Sequence, residues 1–357
     1  MKSKYPVTQI SSGAGPAVHS YFDLCPESFD ATRVLYYEFT EDSARNGYVM
    51  VATLNKSAKL PLRHDPTGEP CSGSSHEGVE QQWVDNNTIA YRGGERDHRE
   101  TVICSIHDNS IRRLPGAIRM FSPVNGMGLN TSGTSRNDEP AVYLMDFQSG
   151  KTRRLFTRKD LFERHPWHDS IKDLDKIYFK HSKWTLDGKR FFVVFTNEGY
   201  DRPAGVRGVK SIFVADAGCS NIRYLCEFGH HPMWADDGTF AYAFDFRQDK
   251  MLNLVAHPID GREAYPLLSN IHGWHASLNP EGTKVVTDVG AWKEKGNGAL
   301  LLYDLKTGEY TELVIYKMVD ASHAGCHAHP VWSRNGKRVY FNSSDTGVPQ
   351  LYAIDLV

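Results

Sequence analysis

The chain has 357 residues, 40% of them apolar and 24% charged, with 7 Trp, 17 Tyr and 17 Phe, so it has ample core-forming side chains and is not disordered throughout. The 41 Lys and Arg residues nearly balance the 43 Asp and Glu residues, and the net charge of -2 argues against a nucleic-acid partner bound through phosphate neutralisation. No apolar segment approaches the roughly 20 residues of a bilayer crossing, and the N-terminal sequence is not typical of a signal peptide. The sequence therefore predicts a cytoplasmic protein with no membrane partner.

A turn motif recurs along the chain and predicts the fold. It consists of an aromatic residue or leucine, two variable residues, a turn dipeptide and then an alternating apolar strand. In chain order the copies are Trp83 to Asn86-Asn87, Trp184 to Asp187-Gly188, Trp234 to Asp237-Gly238, Leu278 to Glu281-Gly282 and Trp332 to Asn335-Gly336, with weaker copies near 30–35 and 122–126. The turns fall near positions 31, 86, 126, 188, 238, 282 and 336, a mean spacing of about 51, close to the roughly 50 residues of one propeller blade.

A second motif predicts a hairpin inside most of these repeats. In it a strand ends in an aspartate turn and is followed within about ten residues by a leucine. The five aspartates are Asp108, Asp146, Asp216, Asp260 and Asp304. A four-stranded antiparallel sheet cannot bury both faces by itself, whereas seven sheets stacked around an axis can.

The sequence thus predicts an all-β fold, a seven-bladed β-propeller that forms a single domain over residues 1–357. The last repeat stops after its third strand, and residues 5–10 resemble the missing fourth strand. We therefore expect the N-terminal strand to close the last blade. Helical turns are expected only near residues 159–165, and the Gly, Ser and Pro-rich segment 65–75 is predicted to be a loop.

Histidines occupy one repeated position, three residues before the aromatic residue or leucine of the turn motif. They are His181, His231, His275 and His329. Because the strand that enters a propeller blade is the innermost one, we expect these four side chains to converge at one mouth of the central channel. His323 and His327 lie upstream of His329 in the same loop, with Cys326 between them, and add three more candidate metal ligands. His327 and His329 could approach one ion only if the loop curls, because an unstrained strand would not aim two rings at this spacing at a single ion.

The alternative for each histidine is a hydrogen bond to neighbouring backbone at the blade entrance. Other candidate residues have similar alternatives. Arg207 and Lys210 belong to a basic run, residues 202–210, that either clamps a substrate carboxylate or is an ordinary solvated loop. His76 and His64 flank the segment 65–75 and either reach the channel mouth or are solvated. Residues 165–168 are a connector or a sugar-stacking loop, and we favour the connector.

Several common catalytic motifs are absent. The six cysteines include no C-x-x-C pair, which argues against a disulfide framework or a four-thiolate zinc site. The sequence also contains no G-x-S-x-G, H-E-x-x-H, Walker, G-x-G-x-x-G or EF-hand motif. Serine hydrolase, zinc peptidase and nucleotide chemistry therefore lose support.

The segments around the last histidines resemble the oligogalacturonate lyases. The resemblance lies in residues 229–238 and 326–337, and residues 19–26 and the last blade also resemble ulvan and rhamnose-glucuronate lyases. It spans most of the chain and is sharpest at the histidines of blades five to seven. It implies a propeller that cleaves a uronate-containing oligosaccharide by β-elimination with a divalent metal ion, manganese first, with calcium or zinc as alternatives.

The resemblance also assigns roles to residues. It places the metal ligands at His275, His327 and His329 and a catalytic histidine at His231, while His181 is a second acid/base candidate from its position one blade earlier. In such a reaction the ion acidifies the C5 proton of the uronate and a base removes it.

The chain departs from this lyase pattern at two positions. The pattern has a glutamine ligand where this chain has Ala324, so either the adjacent His323 serves instead or the coordination sphere differs. The arginine of the pattern is replaced by Ser211, which leaves Arg207 or Lys210 to bind the substrate together with His76.

Two other functions compete with the lyase. A glycoside hydrolase on the same scaffold would need paired carboxylates, and none stands out at the predicted channel mouth. A non-catalytic propeller that binds a glycan or protein is favoured if the histidines prove to be buried apart from one another.

Overall fold

The computed structural model of the chain describes residues 1–40, 45–55, 61–74, 76–95, 98–122, 124–131, 139–199, 208–245, 252–318 and 327–356. Within these residues seven antiparallel sheets follow one another along the chain. The fold is a seven-bladed β-propeller, and the predicted all-β class is confirmed.

Each of the first three blades is a four-stranded sheet in which neighbouring strands are consecutive in sequence. Their strands are β3 (Ala17–Val18), β4 (Arg33–Phe39), β5 (Asn46–Leu54) and β6 (Pro61–Ser72), then β7 (Gln82–Trp83), β8 (Thr88–Glu95), β9 (His98–Ser105) and β10 (Ile111–Pro115), then β11 (Met120–Phe121), β12 (Met127–Asn130), β13 (Ala141–Asp146) and β14 (Thr152–Thr157).

Blades four and five have the same consecutive order. Their strands are β15 (Tyr178–Trp184), β16 (Arg190–Thr196), β17 (Lys210–Asp216) and β18 (Arg223–Glu227), then β19 (His230–Trp234), β20 (Phe240–Asp245), β21 (Leu252–Pro258) and β22 (Tyr265–Ile271).

The N-terminal segment contributes strands to the last two blades. Blade six contains β23 (Ala276–Leu278), β24 (Lys284–Val289), β25 (Asn297–Asp304), β26 (Tyr310–Lys317) and the short N-terminal β1 (Lys2–Ser3), and blade seven contains β27 (Val331–Trp332), β28 (Arg338–Ser343), β29 (Gln350–Asp355) and β2 (Val7–Gln9). Strand β2 pairs with β29 in the register Val7 to Ile354. The predicted closure of the last blade by residues 5–10 is confirmed, and the additional pairing of β1 with β26 was not predicted.

The turn motif has one local structure in four blades. The glycines of its turn dipeptides have φ between 64° and 67°, a conformation that glycine adopts without the steric cost of a Cβ atom. Each donates its N–H to the carbonyl three residues earlier, for example Gly188 to Thr185 at 2.9 Å and Gly336 to Ser333 at 3.0 Å. This requirement explains why Asp-Gly, Glu-Gly and Asn-Gly recur in the sequence.

The tryptophan of the turn motif also has a definite structural role. The indole N–H of Trp332 donates to the carbonyl of Ser277 in the preceding blade at 2.9 Å, and that of Trp234 donates to Lys183 at 3.0 Å. Both indoles are buried. A buried indole usually has such a partner, and these two bonds tie successive blades together, whereas the indole N–H of the buried Trp184 has no hydrogen-bond partner among the described residues.

Helical structure is confined to one short region of the described chain. Helix α1 (Arg158–Phe162) begins with a capping box between Thr157 and Asp160, and two short 3₁₀ turns follow it. No helix in the described ranges combines the length and apolar character that a bilayer crossing requires.

The predicted loop at 65–75 was partly wrong, because β6 extends through Ser72 and pairs with β5. Strand β6 lies at the outer edge of its sheet. An edge strand tolerates proline, since N–H groups on its outer side need no partner strand, so the proline-rich composition did not exclude a strand.

The chain groups into two compact units. Unit 1 consists of residues 1–93, 102–113 and 270–357, and unit 2 consists of residues 94–101 and 114–269. The assignment of residues 1–357 to a single domain stays a prediction.

Candidate functional site

Four histidines form a cluster in unit 1. His76 lies in the connection between β6 and β7, His275 directly precedes β23, and His327 and His329 precede β27. The ring centroid of His329 is 4.4 Å from that of His76 and 4.4 Å from that of His275. The ring of His327 is 5.1 Å from that of His76 and 5.3 Å from that of His275. We call these four residues the histidine cluster.

The backbone conformation at His329 lets the rings of His327 and His329 lie in the same cluster. Its φ is 47°, an uncommon value for a residue with a side chain. This provides the curl that the spacing of His327 and His329 requires, and their ring centroids lie 5.7 Å apart.

The cluster offers metal-binding atoms in a buried setting. One ligand atom from each of His76, His327 and His329 lies within 4.8 Å of the other two. His329 is fully buried, and neither of its ring nitrogens has a hydrogen-bond partner among the described residues. Because a buried polar atom without a partner is costly, this residue fits a bound ion better than a purely structural role.

Asp288, at the end of β24, organises the cluster. Its carboxylate accepts hydrogen bonds from the backbone N–H of His275 at 2.9 Å and from the backbone N–H of His329 at 3.2 Å. The Nδ1 of His275 lies 2.9 Å from the carboxylate and is its donor, so Nε2 is the nitrogen of that ring that carries the lone pair. A carboxylate behind a metal-binding histidine is a common arrangement in metal sites. Asp288 was not predicted from the sequence.

Burial keeps His327 and His329 uncharged. Desolvation lowers the pKa of His327 to about 4, assisted by the nearby His275 and opposed by Asp288. Desolvation also lowers the pKa of His329 well below its ordinary value. For Asp288 burial favours a higher pKa, but the attraction and hydrogen bonds of His275 outweigh it and keep the pKa below normal. At neutral pH these imidazoles can therefore offer lone pairs to a metal ion without losing a proton.

Aromatic side chains surround the cluster. The ring of Tyr21 is 4.6 Å from that of His329, and the ring of Phe22 is 5.1 Å from that of His275. His19 is fully buried nearby, and desolvation lowers its pKa to about 4. These residues belong to the segment 19–26 that carried part of the family resemblance, but the sequence analysis gave them no role.

Trp274 forms an exposed rim of the same cluster. Its side chain is 46% exposed, and its ring centroid lies 4.9 Å from that of His327. An exposed indole beside a polar cluster offers an apolar face to a ligand. The sequence analysis also missed this residue.

Unit 2 contains the two predicted catalytic histidines. His181 and His231 lie at register shifts at the start of their blades, where the φ values are 48° and 52°. Their ring centroids are 6.5 Å apart. Desolvation, together with nearby positive charges that include Lys183, lowers the pKa of His181 well below its ordinary value. The structure thus brings the four predicted histidines together as two pairs, one in each unit.

The Lys183 side chain is a buried cation in the same part of unit 2. It is 1% exposed, and its Nζ donates to the carbonyl of Pro232 at 2.6 Å and lies 3.1 Å from the sulfur of Met233. It therefore links the entrance strands of blades four and five.

The predicted substrate-binding residue Lys210 lies at the start of β17 and forms an ion pair. Its Nζ is 2.6 Å from Glu198, which also pairs with Lys180. Burial raises the pKa of Glu198, but the hydrogen bonds and charges of the two lysines outweigh it and bring the pKa to about 2. Lys210 thus shares one carboxylate with Lys180, and the group of three side chains keeps one net positive charge.

Three candidate residues, Arg207, His323 and Cys326, lie outside the described residues. Ser211, which occupies the position of the arginine in the lyase pattern, is buried and lies 2.9 Å from the ring of His165. His165 is itself buried, so this part of segment 165–168 packs into its unit, as expected for a connector.

A repeated backbone conformation links three of these histidines with an acidic residue. His181, His231 and His329 precede a tryptophan by three residues and have positive φ, and Glu80, three residues before Trp83, has φ of 56°. The Glu80 carboxylate is 3.5 Å from Arg92. Glu80 occupies the same position of the turn motif as these histidines, but only the histidines were recognised from the sequence.

Comparison with known proteins supports the fold. The structure is similar to that of an oligogalacturonate lyase from Vibrio parahaemolyticus, with a TM-score of 0.70 and 13% identity over 100% of this chain and 96% of that chain. It is also similar to an oligogalacturonate lyase in complex with manganese, with a TM-score of 0.71 and 13% identity over 100% of this chain and 94% of that chain.

Propellers of other kinds share the fold. The propeller domain of Myceliophthora thermophila Cps50 (Swd1) has a TM-score of 0.59 and 10% identity over 99% of this chain and 100% of that chain. No protein-family model matches the chain, and no curated protein matches it by sequence. The chain therefore shares the fold of the oligogalacturonate lyases.

Proposed function

We propose that the protein is a metal-assisted lyase that cleaves a uronate-containing oligosaccharide by β-elimination. The observation that carries this proposal is the histidine cluster, in which His329 is buried without a hydrogen-bond partner for its ring nitrogens in the described residues. The similarity of the whole chain to two oligogalacturonate lyases supports the choice of reaction.

Three residues would hold the ion in this proposal, His275, His327 and His329. A divalent ion bound there supplies a positive charge that draws electron density from the uronate carboxylate and acidifies the C5 proton. Manganese is our first expectation, because it is the ion in one similar lyase complex, and calcium and zinc are the alternatives.

The protein side chains have distinct roles in the proposal. Asp288 holds His275 in one tautomer, and the strained backbone fixes the direction of the His329 ring. His231 removes the C5 proton, the electron pair of that C–H bond forms a C4–C5 double bond, and the bond from C4 to the glycosidic oxygen breaks. The leaving oxygen takes up a proton from water. We propose His231 rather than His181 as the base because the lyase pattern places its catalytic histidine at His231, and burial with nearby positive charges holds the pKa of His181 well below its ordinary value.

The predicted substrate-binding residue Lys210 is already engaged in an ion pair. Its ammonium group shares the Glu198 carboxylate with Lys180, which weakens its assignment as the carboxylate clamp, and Arg207 remains a prediction. Trp274 provides an exposed ring next to His327, and we propose that a sugar ring packs on it.

The first test is elemental analysis of the purified protein and of a His327→Ala/His329→Ala variant, with the exposed His98→Ala as the matched control. We expect about one divalent ion per chain in the wild type and the control, and none in the double variant. The wild type is then incubated with uronate oligosaccharides, and the ultraviolet absorbance of the unsaturated product is followed.

The outcomes separate the three functions. New reducing ends without new absorbance would indicate a hydrolase, and binding without cleavage would indicate a binding protein. Absence of metal from the wild type after incubation with manganese, calcium and zinc would refute the metal-assisted lyase.

A further inference from the structure

His76 reaches the histidine cluster from a different part of unit 1 than the other three histidines. It lies in a tight turn that is fixed by two backbone hydrogen bonds between Ser74 and Gly78, each 2.8 Å long. The N–H of Glu77 also donates to the side chain of Ser74 at 3.0 Å. The turn therefore holds the half-buried His76 ring in place against the cluster.

The distances around His76 suit a metal ligand. Its ring is perpendicular to those of His327 and His329, with interplanar angles of 81° in both cases. One nitrogen from each of the three rings lies within 4.8 Å of the others, whereas two ligands on one ion at about 2.1 Å are separated by roughly 3.4 Å. Small side-chain rotations close this difference.

We propose that His76 is a protein ligand of the metal ion, so that four imidazoles, those of His76, His275, His327 and His329, form the binding site. The inference rests on the proposed function for the presence of an ion. It changes the role predicted for His76 from the sequence, which was substrate binding. In the lyase pattern a glutamine completes the site, and this chain has Ala324 at that position.

The four-imidazole site has a consequence for metal choice. Asp288 contacts the cluster and already accepts hydrogen bonds from His275 and His329, so it supports the ligands from behind. Calcium prefers six to eight oxygen ligands, and magnesium and manganese also favour oxygen, whereas neutral imidazoles suit zinc. A four-imidazole site therefore favours zinc over the manganese expected from the lyase comparison, and calcium and magnesium should bind far more weakly.

The test uses the full-length protein in four forms, the wild type, His76→Ala, His76→Gln and the exposed control His98→Ala. Calorimetric titration with zinc, manganese and calcium gives the affinities. X-ray absorption at the zinc edge counts the imidazoles around the bound ion. Circular dichroism and Tm of the metal-free proteins confirm that each variant is folded.

We expect His76→Ala to lower the zinc affinity at least about 100-fold, since even changes behind a metal ligand cost 10- to 100-fold. The imidazole count should fall from four to three. His76→Gln should bind more tightly than His76→Ala, because an amide can still coordinate, and His98→Ala should match the wild type.

Three results would overturn the inference. If His76→Ala binds zinc as tightly as the wild type while the His327→Ala/His329→Ala variant does not, His76 is not a ligand, but the proposed function stands. If calcium binds as tightly as zinc, the four-imidazole site is wrong. If the wild type binds none of these ions, the inference and the proposed function both fail.

Discussion

The hydrogen bonds of Asp288 predict a large effect of its replacement by alanine. The side chain is 4% exposed and accepts bonds from three groups, the Nδ1 of His275 and the backbone N–H groups of His275 and His329. Asp288→Ala removes the acceptor and leaves these donors buried. Each unsatisfied donor costs about 1–3 kcal/mol, and adjacent donors relax together, so we expect a loss of about 4 kcal/mol in unfolding free energy.

The conservative replacement Asp288→Asn separates the effect of losing one hydrogen-bond acceptor from the effect of losing the whole side chain. Asparagine keeps the shape and one acceptor oxygen, but its NH₂ group faces at least one of the donors. We therefore expect a loss of about 2 kcal/mol. Metal affinity should fall about 10- to 100-fold in both variants, because a partner that orients a metal-binding histidine contributes about this much.

Urea-induced unfolding of the metal-free proteins measures the free energies, and Tm gives a second readout. For a chain of this length a loss of about 4 kcal/mol corresponds to a decrease of roughly 5 °C in Tm. The control is Asp169→Asn, whose side chain is 98% exposed and whose replacement should change stability by less than about 0.5 kcal/mol. An Asp288→Ala variant that is as stable as this control would refute the assignment of Asp288 as the organising residue.

Three other predictions follow from the described contacts. Trp274→Ala should raise KM for the oligosaccharide about 5- to 10-fold with little change in kcat or metal content, as expected for loss of about 1 kcal/mol of ring packing, whereas Trp167→Ala should leave KM unchanged. Glu198→Gln should cost about 1 kcal/mol at pH 7, a value reduced because the carboxylate is partly exposed. The pKa of Glu198 in the folded protein is about 2, below its value in the unfolded chain. Its contribution to stability is therefore complete above pH ~5 and is lost as the pH falls toward ~2. If the wild type were still more stable than Glu198→Gln in urea unfolding at pH ~2, this prediction would be wrong. Ile10→Ala should cost about 3 kcal/mol, because Ile10 is fully buried beside the closing strand, and Val124→Ala, at a site 63% exposed, should cost under about 0.5 kcal/mol in the same assay.

The fold was predictable because its requirements are local. A turn that needs positive φ selects glycine, and an indole that packs in the core and donates a hydrogen bond favours tryptophan at a fixed distance from that turn. Trp234 and Trp332 both donate to the preceding blade. Most repeats therefore carry the same short pattern even where the rest of their sequence has diverged.

The candidate site was predictable only in part, because its contacts join residues that are far apart in sequence. The repeat identified His275 and His329, but Asp288 has no pattern of its own, since an aspartate at the end of a strand is common in turns as well. His76 lies outside the repeated position and contacts the cluster only through the fold. A single sequence contains no signal for such contacts.

The residue three positions before the tryptophan of the turn motif has a strained backbone, and this position carries the polar side chains of the candidate sites. A side chain at positive φ costs about 1–2 kcal/mol, and the structure places this cost at His181, His231, His329 and Glu80, where hydrogen-bonding or metal-binding groups are carried. In blade six the tryptophan is replaced by Leu278, and His275 does not have this conformation. There the carboxylate of Asp288 holds the imidazole instead. A strained backbone at His329 and a buried carboxylate next to His275 thus direct two histidines into the same cluster. We infer that the function depends on the direction of the imidazoles and not on the backbone strain itself.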